Sequence, residues 1–426
     1  MGVRRGTTGW PAALLLVAPL TLGLGIACAA RMAPALAMVQ VPHRDIRVAL
    51  AAERGIARIT TGGEWRLTDR AGREIVRPII RLGWGIERRG SRVRAIQADG
   101  YTSPWVDSLL VLVGDDPAAP VQVNGRSYRG SLLFEATDSA TLVINVVPVE
   151  QYLRGVVPPE IGARPATDVA AVEAQAVVAR SFAFERMNTN LRRRYDLTSL
   201  ELDQVYGGID AESAQGDAAI SATRDLVLSY NGRAIGALYH AVCGGNTSSA
   251  GDVWKSGDVP YLQGVSDRVP GSDRAYCDLA PRFQWERSFT AAALRDAAAR
   301  YLRQYVPMPT GSVGSVREVQ IAAHTSLGRV AALSIVTEQG AYRLRGNDIR
   351  YVLRGLGGDL LPSTYFSLEP VVGRDGMLTQ LAIRGRGNGH GVGLCQWGAI
   401  GRARAGQDVR TILRAYFPAT ELARGT

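Results

Sequence analysis

Glycine stands at every second position from 385 to 393 in the stretch IRGRGNGHGVGLCQWGAIG. Alternate residues of an extended chain share a face, so one face here is bare backbone, and another strand or a ligand must lie close against it. Arg386, Asn388 and His390 fall on the opposite face. The sixth position of the dinucleotide fingerprint holds no glycine, which argues against a phosphate cradle. His390 is either a substrate-orienting side chain or a packed histidine that satisfies loop carbonyls.

The rest of the chain reads as α+β. From Arg47 to about Val147, short apolar runs alternate with turn residues, and Asn124-Gly125 marks a tight hairpin. VEQYLRGVVPPE predicts a short helix stopped by Pro158 and Pro159. A longer helix follows, capped by Thr167 or Asp168, with Val169, Val172, Ala176, Ala179 and Phe182 on one buried face. Further hairpins, one turning at Asn231-Gly232, are interspersed with helices over 288–305, from Asn347, and from about Cys395 and Asp408. No regular βαβ alternation is present. Three regions result: an export signal over 1–37, a β-rich region over 45–145 with hairpins, and a mixed α+β core over 146–420.

At 426 residues, with 46% apolar and 21% charged side chains, the chain is too long for one ordinary domain and too balanced to be disordered, collagen-like or a multi-span membrane protein. The net charge is +10, carried almost wholly by arginine, with Lys255 the single lysine. The basic residues are scattered and not interleaved with aromatics, so a solvated surface is expected rather than a nucleic-acid partner.

Arg4 and Arg5 precede an uncharged run from Trp10 to Ala30, with a small-residue site at Ala35-Leu36-Ala37. This is the layout of a secretory signal. A retained single-span anchor, or a lipoprotein signal acylated at Cys28, are the alternatives, and each exports the remainder to the periplasm or cell surface. Contact with the membrane is expected only through this segment.

Three constellations carry candidate chemistry. Glu160 follows two prolines on a stiff turn, where few local amides stabilise its charge; such a carboxyl is a general acid or, on spacing alone, an ordinary surface glutamate. His240 and Cys243, three apart before a double glycine, could join Cys277 and Cys395 in a closed zinc tetrahedron. A Cys243–Cys277 disulfide is the alternative. Gln204 and Tyr206 in LDQVYGG combine a ring with hydrogen-bonding groups, as sugar sites do. Arg180 lies on the long helix, where an ion pair is its ordinary role. Cys395 with His390 five residues earlier is a weaker candidate for a cysteine nucleophile.

Taken in order, several stretches resemble the SpoIID/LytB family: VPVEQYLRGVVPPE with the EAQAVVAR helix, QVYG, YH with GG, VW and PYL, GND, and GHGVG with QWGA. The resemblance runs from about Val147 to Phe417. It implies a protein acting on peptidoglycan glycan strands, either a lytic transglycosylase whose catalytic glutamate corresponds to Glu160 or an activator of a cell-wall amidase. It further implies a glycan-binding cleft in which Gln204, Tyr206, Arg180, Asn388 and His390 hold the strand. No cofactor is needed for that chemistry, and zinc would be structural. Cysteines at 243 and 395, where serine is frequent in the family, are departures from its sporulation-type members.

Overall fold

The computed structural model describes Gly2 and residues 36–50, 52–76, 83–113, 120–255, 257–355 and 357–426. The expected export signal, with Cys28, lies outside the described residues apart from Gly2, Leu36 and Ala37. Among the described residues, no helix is long and apolar enough to cross a membrane.

The N-terminal region is β-rich, as expected, and forms two sheets. One has five strands, in the order Arg126–Tyr128, Val121–Val123, Ala57–Thr61, Trp84–Arg89, Arg92–Gln97. The other has seven, and its edge pairs Ile46–Ala49 in parallel with Leu197–Thr198 from the following region. Trp65 of one sheet meets Trp84 of the other edge-on at 5.8 Å. The hairpin turn at Asn124-Gly125 has positive φ at both residues (50° and 82°), and so does Asn231-Gly232. Asparagine and glycine tolerate that backbone, which matches the right-handed twist of the flanking strands. A single hydrophobic cluster runs from these sheets into the helical part, from Val39 to Ala423.

The helix Val169–Thr189 sits at the middle of that cluster. It does not bury one face only. Ala171, Ala174, Val177, Val178, Ala183 and Phe184 are buried alongside the expected residues, whereas Val169 is 44% exposed. A helix apolar all round is enclosed on all sides, and its many alanines let neighbours come close. It contacts the helices Ala214–Ala222, Gln396–Arg404 and Val409–Tyr416. Asp168 stands at its start without a capping bond; its carboxylate is spent on Arg404 at 2.7 and 2.9 Å.

The proline pair also acts differently from expectation. Val149–Arg154 forms one short helix, and Val157–Ile161 forms a second with Pro158 in its first turn. First-turn amides lack intrahelical acceptors anyway, so proline starts this helix rather than stopping the previous one. Glu160 therefore sits on helix, one residue before the end at Ile161, and Gly162 (φ 74°) breaks the chain away.

Between Gln284 and Arg386, which pair across antiparallel strands, the chain builds a second core. It comprises two three-stranded sheets and the helix Ala291–Tyr301, capped by the Thr290 hydroxyl on the Ala293 amide. From Arg386 the chain re-enters the first cluster through the glycine stretch. This is not an extended strand: Gly387, Gly389, Gly391 and Gly393 all have positive φ, from 73° to 110°. The close approach is nonetheless present. A Cβ on Gly387 would lie 2.8 Å from the Val242 carbonyl, and one on Gly389 2.8 Å from the His240 side chain.

Candidate active site at Glu160

Glu160 is half-buried, and its Oε1 accepts a hydrogen bond from the Val205 amide at 2.7 Å. Burial pushes its carboxyl above the ordinary range. The Val205 amide and the Tyr239 and Gln396 side chains pull it back, while the charge of Glu201 adds to the rise. Glu201 is exposed and sits three residues before Gln204. Its charge reaches Glu160 from a loop that sequence spacing does not connect to residue 160.

Tyr239 is the meeting point of the site. Its hydroxyl accepts from Gln204 Nε2 at 3.3 Å and neighbours the Glu160 carboxyl. Its carbonyl accepts from His390 Nε2 at 2.8 Å. Tyr239–His240 pairs in parallel with Leu394–Cys395, which places the next residue, Gln396, beside Glu160. Gln396 Nε2 donates to the Glu160 backbone carbonyl at 2.9 Å and to Gln175 Oε1 at 3.3 Å. Trp397, half-buried, stacks under the Arg164 guanidinium at 4.7 Å. Tyr239, Gln396 and Trp397 were all visible within the YH and QWGA motifs, but nothing in the sequence singled them out.

Several expected strand-binding residues turn out to be interior. Gln204 is fully buried, accepting from the Tyr152 hydroxyl at 3.1 Å. Tyr206 is 4% exposed; its hydroxyl donates to Asn145 Oδ1 at 2.8 Å and its ring packs on Tyr152. Arg180 is fully buried, forked onto Glu150 at 2.6 and 2.9 Å and donating to the Leu226 and Ile220 carbonyls. None of the three can touch a strand in this arrangement; of them Gln204 lies nearest the acid in the chain, next to Val205, whose amide holds Glu160. His390 spends both ring nitrogens on backbone, Nδ1 accepting from the Val392 amide and Nε2 donating to Tyr239. Burial lowers its pKa to about 4, so it is neutral. Asn388 is half-buried, and its side-chain amide makes no hydrogen bond among the described residues.

The cysteines correct the sequence reading in two ways. Cys243, Cys277 and Cys395 are free thiols, with Cys243 Sγ and Cys277 Sγ in contact at 3.4 Å, not bonded. The residue that joins them is Asp267 rather than His240: the four donor atoms lie within 4.8 Å of one another and all four residues are buried. His240 instead donates from Nδ1 to the Val392 carbonyl. Cys395 is enclosed as the N-cap of the helix Gln396–Arg404, which leaves no approach for a substrate carbon to a nucleophilic sulfur.

The SpoIID family, stage II sporulation protein, matches residues 137–230, which hold Glu160, Gln204 and Val205. An uncharacterised protein of Brachyspira hyodysenteriae is 30% identical over 303 residues, spanning 70% of this chain and 73% of that protein. Stage II sporulation protein D of Bacillus subtilis is 27% identical, over 67% of this chain and 77% of its own. This chain belongs to the SpoIID/LytB family. The amidase enhancer of Bacillus subtilis is 28% identical over 71% of the SpoIID/LytB chain described here, which spans only 45% of the enhancer's length. A domain of unknown function (DUF8618) matches residues 275–393, covering the second core and most of the glycine stretch.

Proposed function

We propose that this protein is an exported peptidoglycan lytic transglycosylase in which Glu160 serves as both general acid and general base. One observation carries the reading: a half-buried carboxyl whose pKa is raised chiefly by burial, anchored through one oxygen on the Val205 amide. A raised pKa shifts a carboxyl towards the protonated form that proton donation requires. The names of the relatives, a sporulation protein D and an amidase enhancer, support a role at peptidoglycan.

Protonated Glu160 donates to the glycosidic oxygen between MurNAc and GlcNAc as the C1–O bond breaks. The muramoyl C6 hydroxyl then attacks C1 of its own ring and loses its proton to the Glu160 carboxylate. The attack is intramolecular, so no activated water is required, and 1,6-anhydroMurNAc forms. Hydrolysis would instead enlist a second carboxylate, for which Glu201 is the candidate. In this reading Asn388, half-buried and with no side-chain partner among the described residues, meets the strand.

The test is incubation of the purified protein with glycan strands stripped of stem peptides, followed by mass spectrometry of the strand ends. Anhydro ends from the wild type and none from Glu160→Gln are expected. Reducing MurNAc ends would convert the assignment to a hydrolase. Intact strands, with faster turnover by an added cell-wall amidase, would replace it with the activator role suggested by the amidase enhancer's name.

A further inference from the structure

Four donor atoms from four separate segments converge in the interior beside the active site: Cys243 Sγ, Cys277 Sγ, Cys395 Sγ and a carboxylate oxygen of Asp267. We propose that they are the four ligands of a structural zinc ion. A tetrahedral ion with bonds of about 2.0–2.3 Å holds its ligands roughly 3.5 Å apart. Cys243 Sγ stands 3.4 Å from Cys277 Sγ and 3.3 Å from Asp267 Oδ2.

The surroundings are built for thiolates. The Gly245 amide donates to Cys243 Sγ at 3.4 Å, and the Cys243 and Gly398 amides donate to Cys395 Sγ at 3.1 and 3.2 Å. Asp267 is oriented from behind: its Oδ1 accepts from Arg402 Nε at 3.1 Å and from the Tyr416 hydroxyl at 2.7 Å, which leaves Oδ2 to face the sulfurs. Outer contacts of this kind fix ligand geometry at metal centres.

Charge points the same way. Arg329 is 1% exposed and donates to the Cys243 and Asn246 carbonyls; among the described residues no carboxylate pairs with it. An uncompensated buried guanidinium is costly. Three thiolates and one carboxylate carry −4, a divalent ion brings this to −2, and Arg329 with Arg402 balances it. Each thiol releases its proton to solvent as its bond to the metal forms. A sulfur-rich, fully buried, four-donor set selects zinc over calcium or magnesium and leaves no open position for catalysis. The ion would lock Cys243, four residues after Tyr239, to Cys395, one residue before Gln396, whatever chemistry Glu160 performs.

The experiment is metal analysis of the full chain purified without chelator, with zinc absorption-edge spectroscopy. One zinc per chain is expected, with three sulfur neighbours at about 2.3 Å and one oxygen at about 2.0 Å. Asp267→Ala and Cys277→Ser should lose the ion, and His240→Gln should keep it. Because the cysteine variant can fail to fold, a mercurial titration of wild-type protein supplies a second readout, releasing one equivalent of zinc to a chromogenic chelator. The proposal is overturned by a metal-free protein that also gives no thiolate-to-cobalt absorption, by a mass two hydrogens light that reports a disulfide, or by loss of zinc from His240→Gln with retention in Asp267→Ala.

Discussion

The side-chain amide of Gln396 donates to the backbone carbonyl of Glu160 at 2.9 Å, joining residues 236 positions apart. The contact fixes the end of the short helix that carries the carboxylate. It also makes the glycine stretch, the Tyr239 strand and the proline-started helix parts of a single site.

Replacing Glu160 by Gln should lower cleavage by about 10²–10⁴-fold while leaving the fold intact. It should also raise Tm at neutral pH. The folded carboxyl has a raised pKa, so the folded state binds the proton more tightly, and wild-type stability falls as pH climbs from the unfolded pKa through the folded one. Gln does not titrate. The Tm gain of the variant should therefore shrink towards zero at acid pH, as thermal melts across a pH series will show.

Two substitutions should move the alkaline limb of the kcat/KM profile in opposite directions. Removing the Glu201 charge with Glu201→Gln takes away a contribution that raises the Glu160 pKa, so activity should fall off at lower pH than in wild type. Tyr239→Phe removes a hydrogen bond that lowers it, so the limb should move to higher pH. Identical profiles for all three proteins would show that Glu160 is not the titrating acid.

Arg180 tests position against contact. Glu150→Ala should strand its buried guanidinium and cost about 3–5 kcal/mol in denaturant melts. KM for glycan, measured on the folded fraction, should stay at the wild-type value. A rise in KM without loss of stability would restore Arg180 to the strand-binding surface.

Gly393→Ala should destabilise by about 2–5 kcal/mol, since it combines a left-handed backbone (φ 73°) with a Cβ driven into the Leu238 carbonyl. Gly406, also left-handed at 81° but with nothing near its Cβ position, is the control. Gly406→Ala should cost only the backbone part, about 1–2 kcal/mol, and urea midpoints will separate the two.

The legible parts were those that nearby residues dictate. The Asn-Gly turns, the helix start near Asp408, and the α+β mixture follow from backbone preferences acting over a few positions. Glu160 stood out because the motifs around it resemble a family, and the close packing of the glycine stretch followed from missing side chains. The burial of Gln204, Tyr206 and Arg180 was not legible. A polar residue reads the same whether its partner is solvent, a sugar or an interior carbonyl.

The amino-acid order by itself determined the local elements, the family and the acid at position 160, because these depend on side-chain type and short spacing. Only the tertiary structure decided what surrounds that acid and which residue joins the three cysteines. Asp267 displaced His240, and Tyr239 and Gln396 came to Glu160, because burial and hydrogen bonding act between segments that the folded chain alone brings together.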